Sequence, residues 1–109
     1  MYRLFLDDLR EVQNHYPDQD FVVLRSCDEA IEYVKEHGIP AFISFDHDLG
    51  DEVNVPEKTG HTFAKFLVQH MLDLDIQEPF QYYIHSANPV GAENIAGVLD
   101  HFFEYLRKK

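Results

Sequence analysis

The chain has 109 residues, 45% of them apolar, and a formal net charge of −11 from 9 basic and 20 acidic side chains. At this length and apolar content we expect one folded domain over residues 1–109 and exclude a disordered chain. The acidic charge opposes bulk binding to nucleic-acid backbones and docking on anionic membranes, because both repel it. No apolar run approaches the roughly 20 residues that a membrane-spanning helix needs.

The N-terminal residues indicate the expected cellular location, and the single cysteine limits the possible disulfides and metal sites. Acidic residues follow Met1 too soon for a secretory signal, so we expect a cytoplasmic protein. Cys27 is the only cysteine, which excludes an internal disulfide and a multi-cysteine zinc site, and we interpret it as a small packing residue. The sequence leaves the oligomeric state open.

The first half of the chain predicts three strands, each a short apolar run: residues 3–6, 21–25 and 41–45. Polar residues 9–20 predict a loop, with at most one helical turn, between the first two strands. Ser26 followed by Glu29 predicts a capping box that starts a helix, and Gly38 ends that helix before the third strand.

The second half of the chain predicts two helices and a fourth strand. Thr59 follows a polar loop and can cap a helix whose apolar side chains recur with helical spacing. Residues 80–85 predict the fourth strand. Asn88 and Pro89 then supply an N-cap and a first-turn proline for the last helix.

Strands that alternate with helices predict an α/β fold with right-handed crossovers and a parallel sheet covered on both faces. We expect a three-layer, flavodoxin-like arrangement of four strands in the order 2-1-3-4. The connection between the first two strands fits this prediction least well, because residues 9–20 contain at most one helical turn.

Three of the four predicted strands end in polar clusters: Asp7-Asp8 with Arg10, Asp46-His47-Asp48, and His85-Ser86 with Asn88. Open α/β sheets bind ligands beyond the carboxyl ends of their strands. In the order 2-1-3-4 the three clusters follow neighbouring strands, about 4.8 Å apart, and fall within roughly 10 Å of one another. The sequence therefore predicts a site at this edge of the sheet.

The acidic residues of these clusters indicate a divalent cation. Asp7, Asp8 and Asp46 offer the hard oxygen ligands that suit Mg²⁺ or Mn²⁺, with Asp48 as an alternative to Asp46. Such a cation leaves room for the phosphate of a small ligand and offsets the negative charge of the chain.

The two histidines of the clusters indicate proton transfer. His47 and His85 can act as base and acid, because imidazole titrates near neutral pH. Asp46 or Asp48 can hold one of them in the required tautomer. Each feature also has a plainer interpretation, since an acid pair after a strand is often a turn or a cap, and a single histidine ending a strand is often structural.

Donors for phosphate oxygens are available in the same clusters. Arg10, Ser86 and Asn88 can donate hydrogen bonds to phosphate, and so can backbone N–H groups after Pro89, including that of Gly91. We therefore expect a small phosphate-containing ligand as the partner of this site.

At these residues the sequence resembles response-regulator receiver domains. In that family an acid pair follows the first strand, a phosphate-accepting aspartate ends the third and a Ser or Thr ends the fourth; Asp7, Asp8, Asp46 and Ser86 match these positions. No fifth strand is predicted, so the lysine that the family carries there has no counterpart, and the domain resembles a truncated receiver.

The sequence is more closely similar to the receiver-derived group called the cyclic-phosphate processing receiver domain. The motifs that carry this resemblance are Leu6-Asp7-Asp8-Leu9-Arg10, Phe45-Asp46-His47-Asp48-Leu49-Gly50, Thr59-Gly60 and His85-Ser86-Ala87-Asn88-Pro89. Their spacing covers nearly the whole chain. The resemblance implies a hydrolytic or binding role toward cyclic phosphates, although a shared fold does not establish an activity.

Three functional hypotheses follow. The first is a phosphoesterase that opens a cyclic phosphate or phosphodiester with the catalytic residues His47, His85, Asp46 and Asp48. The second is a non-catalytic receiver-like signalling module that binds a phosphorylated ligand or accepts phosphate on Asp46, and the missing lysine counts against phosphate transfer. The third is a degenerate scaffold that binds a protein partner.

Overall fold

The computed structural model describes residues 2–7, 20–46, 59–85 and 89–108. Four strands and three helices are present there: β1 (Arg3–Leu6), β2 (Val22–Leu24), α1 (Cys27–His37), β3 (Phe42–Phe45), α2 (Gly60–Asp73), β4 (Gln81–Ile84) and α3 (Pro89–Arg107). All strand pairs are parallel and the strands lie in the order β2-β1-β3-β4. The predicted four-stranded parallel sheet and its order are confirmed.

The helix starts follow the capping residues of the sequence. The Ser26 side chain accepts a hydrogen bond from the Glu29 N–H at 3.1 Å and caps α1. The Glu29 carboxylate accepts from the Arg25 N–H at 2.9 Å, one residue before the N–H that a standard capping box uses. Thr59 caps α2 as predicted. The predicted cap Asn88 lies outside the described residues.

All three helices pack against the same face of the sheet. The β2–α1–β3 and β3–α2–β4 connections run in the same direction across the sheet, and right-handed crossovers then put both helices on one side. The core contains buried side chains of every helix together with Leu4, Leu6, Ile43 and Phe45 of the sheet. Phe5 is also fully buried but lies outside this core, because successive residues of a strand face opposite sides.

The opposite face of the sheet carries a row of aromatic side chains. Phe21 makes edge-to-face contacts with Phe5 and Phe42, and the Arg3 guanidinium lies 5.6 Å from the Phe21 ring centre. The described residues thus supply two of the three expected layers, the sheet and one layer of helices. Residues 8–19, which include most of the predicted first connection, lie outside the described residues.

The edge strand β4 is tied to α3 through Tyr82. The Tyr82 hydroxyl donates a hydrogen bond to the Asp100 carboxylate. Burial, reinforced by the hydrogen bond and the charge of Asp100, raises the pKa of Tyr82 above its ordinary value. The Tyr82 ring also contacts Phe103 of α3.

None of the described helices is long and apolar enough to cross a membrane.

We expect the helical face of the sheet to carry most of the stability of the domain. Leu67 of α2 is fully buried in the core, and Leu67→Ala should lower the free energy of unfolding by about 2–5 kcal/mol. Leu72 lies in the same helix but is 45% exposed, so Leu72→Ala should cost only about 0.5 kcal/mol. Urea denaturation of both variants measures the difference, and equal losses would contradict this packing.

Candidate functional site

Three acidic or histidine side chains lie in one row across the carboxyl edge of the sheet. Asp7, Asp46 and His85 directly follow residues that are register partners on β1, β3 and β4. Their backbone N–H groups bond to carbonyls of Leu24, Leu6 and Phe45, at 3.2, 2.9 and 2.9 Å respectively. The sheet ladder therefore extends through this row and fixes the three backbones relative to one another.

The imidazole of His85 has a protein partner at each ring nitrogen. Nε2 lies 2.8 Å from Oδ2 of Asp7, and Nδ1 lies 2.7 Å from Oγ of Ser44. The ring stacks on Phe5 with centroids 4.8 Å apart and an interplanar angle of 1°. The side chains of His85 and Asp7 are only 2% and 1% exposed, so water screens their interaction little.

His85 reaches Asp7 by passing over β3. That strand lies between β1 and β4, so two strand spacings of about 4.8 Å separate the backbones of the two residues. Ser44 of β3 is fully buried beneath this path. Its small side chain leaves room for the imidazole, and its hydroxyl bonds to Nδ1. Phe5, the register partner of Ser44, provides a flat surface for the ring.

These contacts suit two charge states of His85. In the neutral ring Nε2–H donates to the Asp7 carboxylate while Nδ1 accepts from the Ser44 hydroxyl. In the imidazolium Nε2–H keeps the same bond, and Nδ1–H donates to the Ser44 oxygen. The Ser44 hydroxyl thus donates to His85 in the first state and accepts from it in the second.

A cationic side chain also lies beside the row. The Arg25 guanidinium donates a hydrogen bond of 3.1 Å to the backbone carbonyl of Asp7. This contact links the residue after β2 to the residue after β1. It holds the Asp7 backbone in place from the side opposite β3.

The structure brings together Asp7, Asp46 and His85 of the predicted site residues. Gly91, predicted to bind phosphate, is buried in the first turn of α3. The other predicted site residues lie outside the described part of the chain: Asp8, Arg10, His47, Asp48, Ser86 and Asn88.

Two residues of the His85 environment were missed by the sequence analysis. Ser44 is the one polar residue of the run Phe42–Phe45, and a polar residue in an otherwise apolar strand was the available signal. Phe5 offered no such signal, because it is one apolar residue of an apolar strand. Asp46 or Asp48 was expected to orient one of the histidines, and Asp7 was not; in the structure the Asp7 carboxylate lies 2.8 Å from His85 Nε2.

The carboxylate oxygens at this edge are of the ligand type that the expected cation prefers. Mg²⁺ often takes one or two protein carboxylates and fills its remaining positions with water and substrate phosphate. Asp7 and Asp46 supply two carboxylates in the row. Within residues 2–7, 20–46, 59–85 and 89–108, no group of three or more His, Cys, Asp or Glu side chains is arranged to hold a metal. The cation stays a prediction.

Within the described residues, a parallel sheet of four strands in the order β2-β1-β3-β4, one strand fewer than in a receiver, with acidic residues directly after β1 and β3, defines a receiver-like α/β domain. The chain belongs to the cyclic-phosphate processing receiver domain family, whose model matches residues 2–101. The resemblance read from the sequence is thereby confirmed. No curated protein and no solved structure gave a significant match.

The contributions of Asp7 and His85 to the free energy of unfolding should be coupled. Asp7→Ala and His85→Ala should each cost about 1–3 kcal/mol, because each removes one side of a buried hydrogen bond of 2.8 Å. The double variant should lose less than the sum, by roughly 0.5–3 kcal/mol. Urea denaturation of the four proteins gives this coupling energy, and strictly additive losses would show that the two residues act independently.

Proposed function

We propose that the chain is a phosphoesterase that opens a cyclic phosphate or phosphodiester. The observation that carries the proposal is the hydrogen-bonded pair of Asp7 and His85 beside Asp46, at the edge where parallel sheets bind ligands. Membership in a family associated with cyclic-phosphate processing supports the same class of substrate.

Hydrolysis of a cyclic phosphodiester needs one proton removed and one supplied. A water oxygen forms a bond to phosphorus while the bond from phosphorus to one ester oxygen of the ring breaks. A base takes a proton from the attacking water, and an acid protonates the departing oxygen. We assign these roles to His47 and His85. The Asp7 carboxylate holds Nε2–H of His85, which fixes both the tautomer and the direction of the ring.

The remaining residues of the edge would bind the ligand. Arg10, Ser86 and Asn88 are the proposed donors to phosphate oxygens. Backbone N–H groups in the first turn of α3, including that of Gly91, are the further proposed donors, because the N-terminus of a helix favours negative charge. A phosphate would thus be held between the strand ends and this helix.

A divalent cation fits this assignment. Asp7, Asp8 and Asp46 would hold Mg²⁺ or Mn²⁺, which would neutralise charge on phosphate oxygens in a chain of net charge −11. Without such a charge the acidic row would repel the ligand. Asp46 or Asp48 remains the proposed orienting group for His47. The proposed partner is a small phosphate-containing molecule, and the proposed location is the cytoplasm.

The contacts of His85 also favour a second candidate, a binding module without turnover. Both ring nitrogens are hydrogen-bonded within the protein and the side chain is 2% exposed, as expected for a structural histidine. Proton exchange with a ligand would require one of these bonds to open. In this candidate the edge binds a phosphorylated ligand or accepts phosphate on Asp46, with His85 holding Asp7 in position.

A substrate screen separates the two candidates. The wild-type protein should hydrolyse at least one member of a panel of 2′,3′-cyclic nucleotides, 3′,5′-cyclic nucleotides and simple phosphodiesters, tested with and without Mg²⁺ or Mn²⁺. His47→Ala and His85→Ala should each lose roughly 10²–10⁴-fold in rate, the usual contribution of an acid–base group. The double variant should lose less than the product of the two, because the pair acts as a unit.

The matched control is His37→Ala, since His37 is an exposed residue at the end of α1. Its rate should equal that of the wild type, and the wild-type rate should show a bell-shaped dependence on pH. Because His85→Ala also disturbs a buried pair, circular dichroism must show that each variant is folded at the assay temperature. Binding of a cyclic phosphate without hydrolysis under any condition would overturn the enzyme and establish the binding module.

The cation has its own test in thermal unfolding. Mg²⁺ or Mn²⁺ at 100 times its dissociation constant should stabilise the native state by about 2.7 kcal/mol, which raises Tm by several degrees in a domain of this size. Asp8→Asn should remove most of this shift. Asp73→Asn, which changes an exposed carboxylate at the end of α2, should leave it unchanged. An unchanged melting curve at millimolar metal would contradict a cation site.

A further inference from the structure

A concave surface lies between α2 and α3. This groove has a volume of about 700 Å³ and shares no described residue with the row at the carboxyl edge of the sheet. Its apolar lining comes from Val68 and Leu72 of α2 and from Val98 and Phe102 of α3. Leu72 is 45% exposed, so a large apolar side chain is open to solvent here. We call this surface the α2–α3 groove.

No contact within the described part of the chain requires a glycine at Gly97, in the middle of α3. It lines the α2–α3 groove, and a Cβ added to it would meet no atom within 4 Å apart from the neighbouring backbone of its own helix. Glycine destabilises a helix interior relative to alanine, and nothing described near this position requires it. A residue without a side chain does, however, let the backbone of a bound molecule approach α3 closely.

The length of the groove matches a helix. Its lining on α3 extends from Glu93 to Tyr105, which is slightly more than three helical turns and about 18 Å along the axis. An apolar groove of this length between two helices is the surface on which an amphipathic helix lays its apolar stripe. Asn94 and His101 lie on the same lining and offer polar contacts at its edge.

The charge of this part of the chain selects the polar face of such a helix, and the charged side chain among the described lining residues is the acidic Glu93. Described residues from 59 onward carry six acidic side chains against three basic ones: Asp73, Asp75, Glu78, Glu93, Asp100 and Glu104 against Lys65, Arg107 and Lys108. Lys108 is moreover paired with Glu104 at 3.1 Å. A second copy of a chain with net charge −11 would be repelled, whereas a basic helix would be attracted.

We propose that the α2–α3 groove binds an amphipathic helix of a partner protein, with apolar side chains spaced i, i+3, i+4 and i+7 and with Lys or Arg flanking that stripe. The apolar stripe would pack on Val68, Leu72, Val98 and Phe102, close against Gly97. Basic side chains would lie near Glu93 at one end of the lining.

The test uses two synthetic helical peptides of about 14 residues with the same leucine stripe. One carries Lys and Arg on its remaining face and the other carries Glu. Fluorescence anisotropy should show binding of the basic peptide at least roughly tenfold tighter than that of the acidic one, weakening as salt is raised. Amide chemical shifts should change along the α2–α3 groove. Shifts spread over the whole acidic surface would overturn the proposal.

Gly97→Leu is the decisive variant, because it fills the groove at a position where the fold has room. It should weaken the basic peptide at least roughly tenfold, while Tm stays equal or rises by a few degrees through better helix propensity. Glu32→Leu adds the same side chain on the exposed surface of α1 and should leave the affinity unchanged. Equal affinities of Gly97→Leu and wild type would overturn the proposal.

The oligomeric state of the wild type tests the alternative in which a second copy of the chain, and not a partner helix, fills the groove. Sedimentation of the free protein should give a monomer at micromolar concentration. A dimer that Gly97→Leu dissociates would instead show that a second copy fills the groove, and would overturn the assignment to a basic helix. Failure of this proposal leaves the phosphoesterase proposal intact, because the cyclic-phosphate assay does not involve the α2–α3 groove.

Discussion

The contact between His85 and Asp7 across β3 is the interaction on which the rest of the site depends. It joins the residue after β4 to the residue after β1, although another strand lies between them. The contact is possible because Ser44 beneath it is small and Phe5 beside it is flat. A one-residue slip of any of the three strands would turn one of these side chains to the opposite face of the sheet. Register and site are therefore fixed together.

The two faces of the sheet bury different kinds of side chain. The face toward the helices is filled by apolar side chains of every element and supplies the core. The opposite face carries Phe5, Ser44 and the imidazole of His85, so it buries polar groups that must find partners inside the protein. The hydrogen bonds from Ser44 to His85 to Asp7 satisfy these groups. At the carboxyl edge the same residues therefore belong to the candidate site and stabilise the domain, whereas the core residues on the other face lie apart from that site.

The α2–α3 groove, which we propose binds a partner helix, shares no described residue with this edge. Its lining combines Phe102, which is itself a core residue, with Leu72 and Tyr105, which are 45% and 47% exposed. The same helices therefore hold the sheet on one side and offer a surface on the other. Under the two proposals, the domain would bind a phosphate ligand at one end and be attached to another protein without covering that site.

The amino-acid sequence by itself determined the strands, the helices and the caps of α1 and α2, because apolar periodicity and capping residues act over a few neighbours along the chain. It also determined the order of the strands and the row of Asp7, Asp46 and His85, since right-handed crossovers leave few arrangements for alternating elements. It did not determine which carboxylate meets His85, or that Ser44 and Phe5 enclose the ring. Only the tertiary structure decided this, because the partners come from three strands and their contact depends on side-chain reach across the sheet.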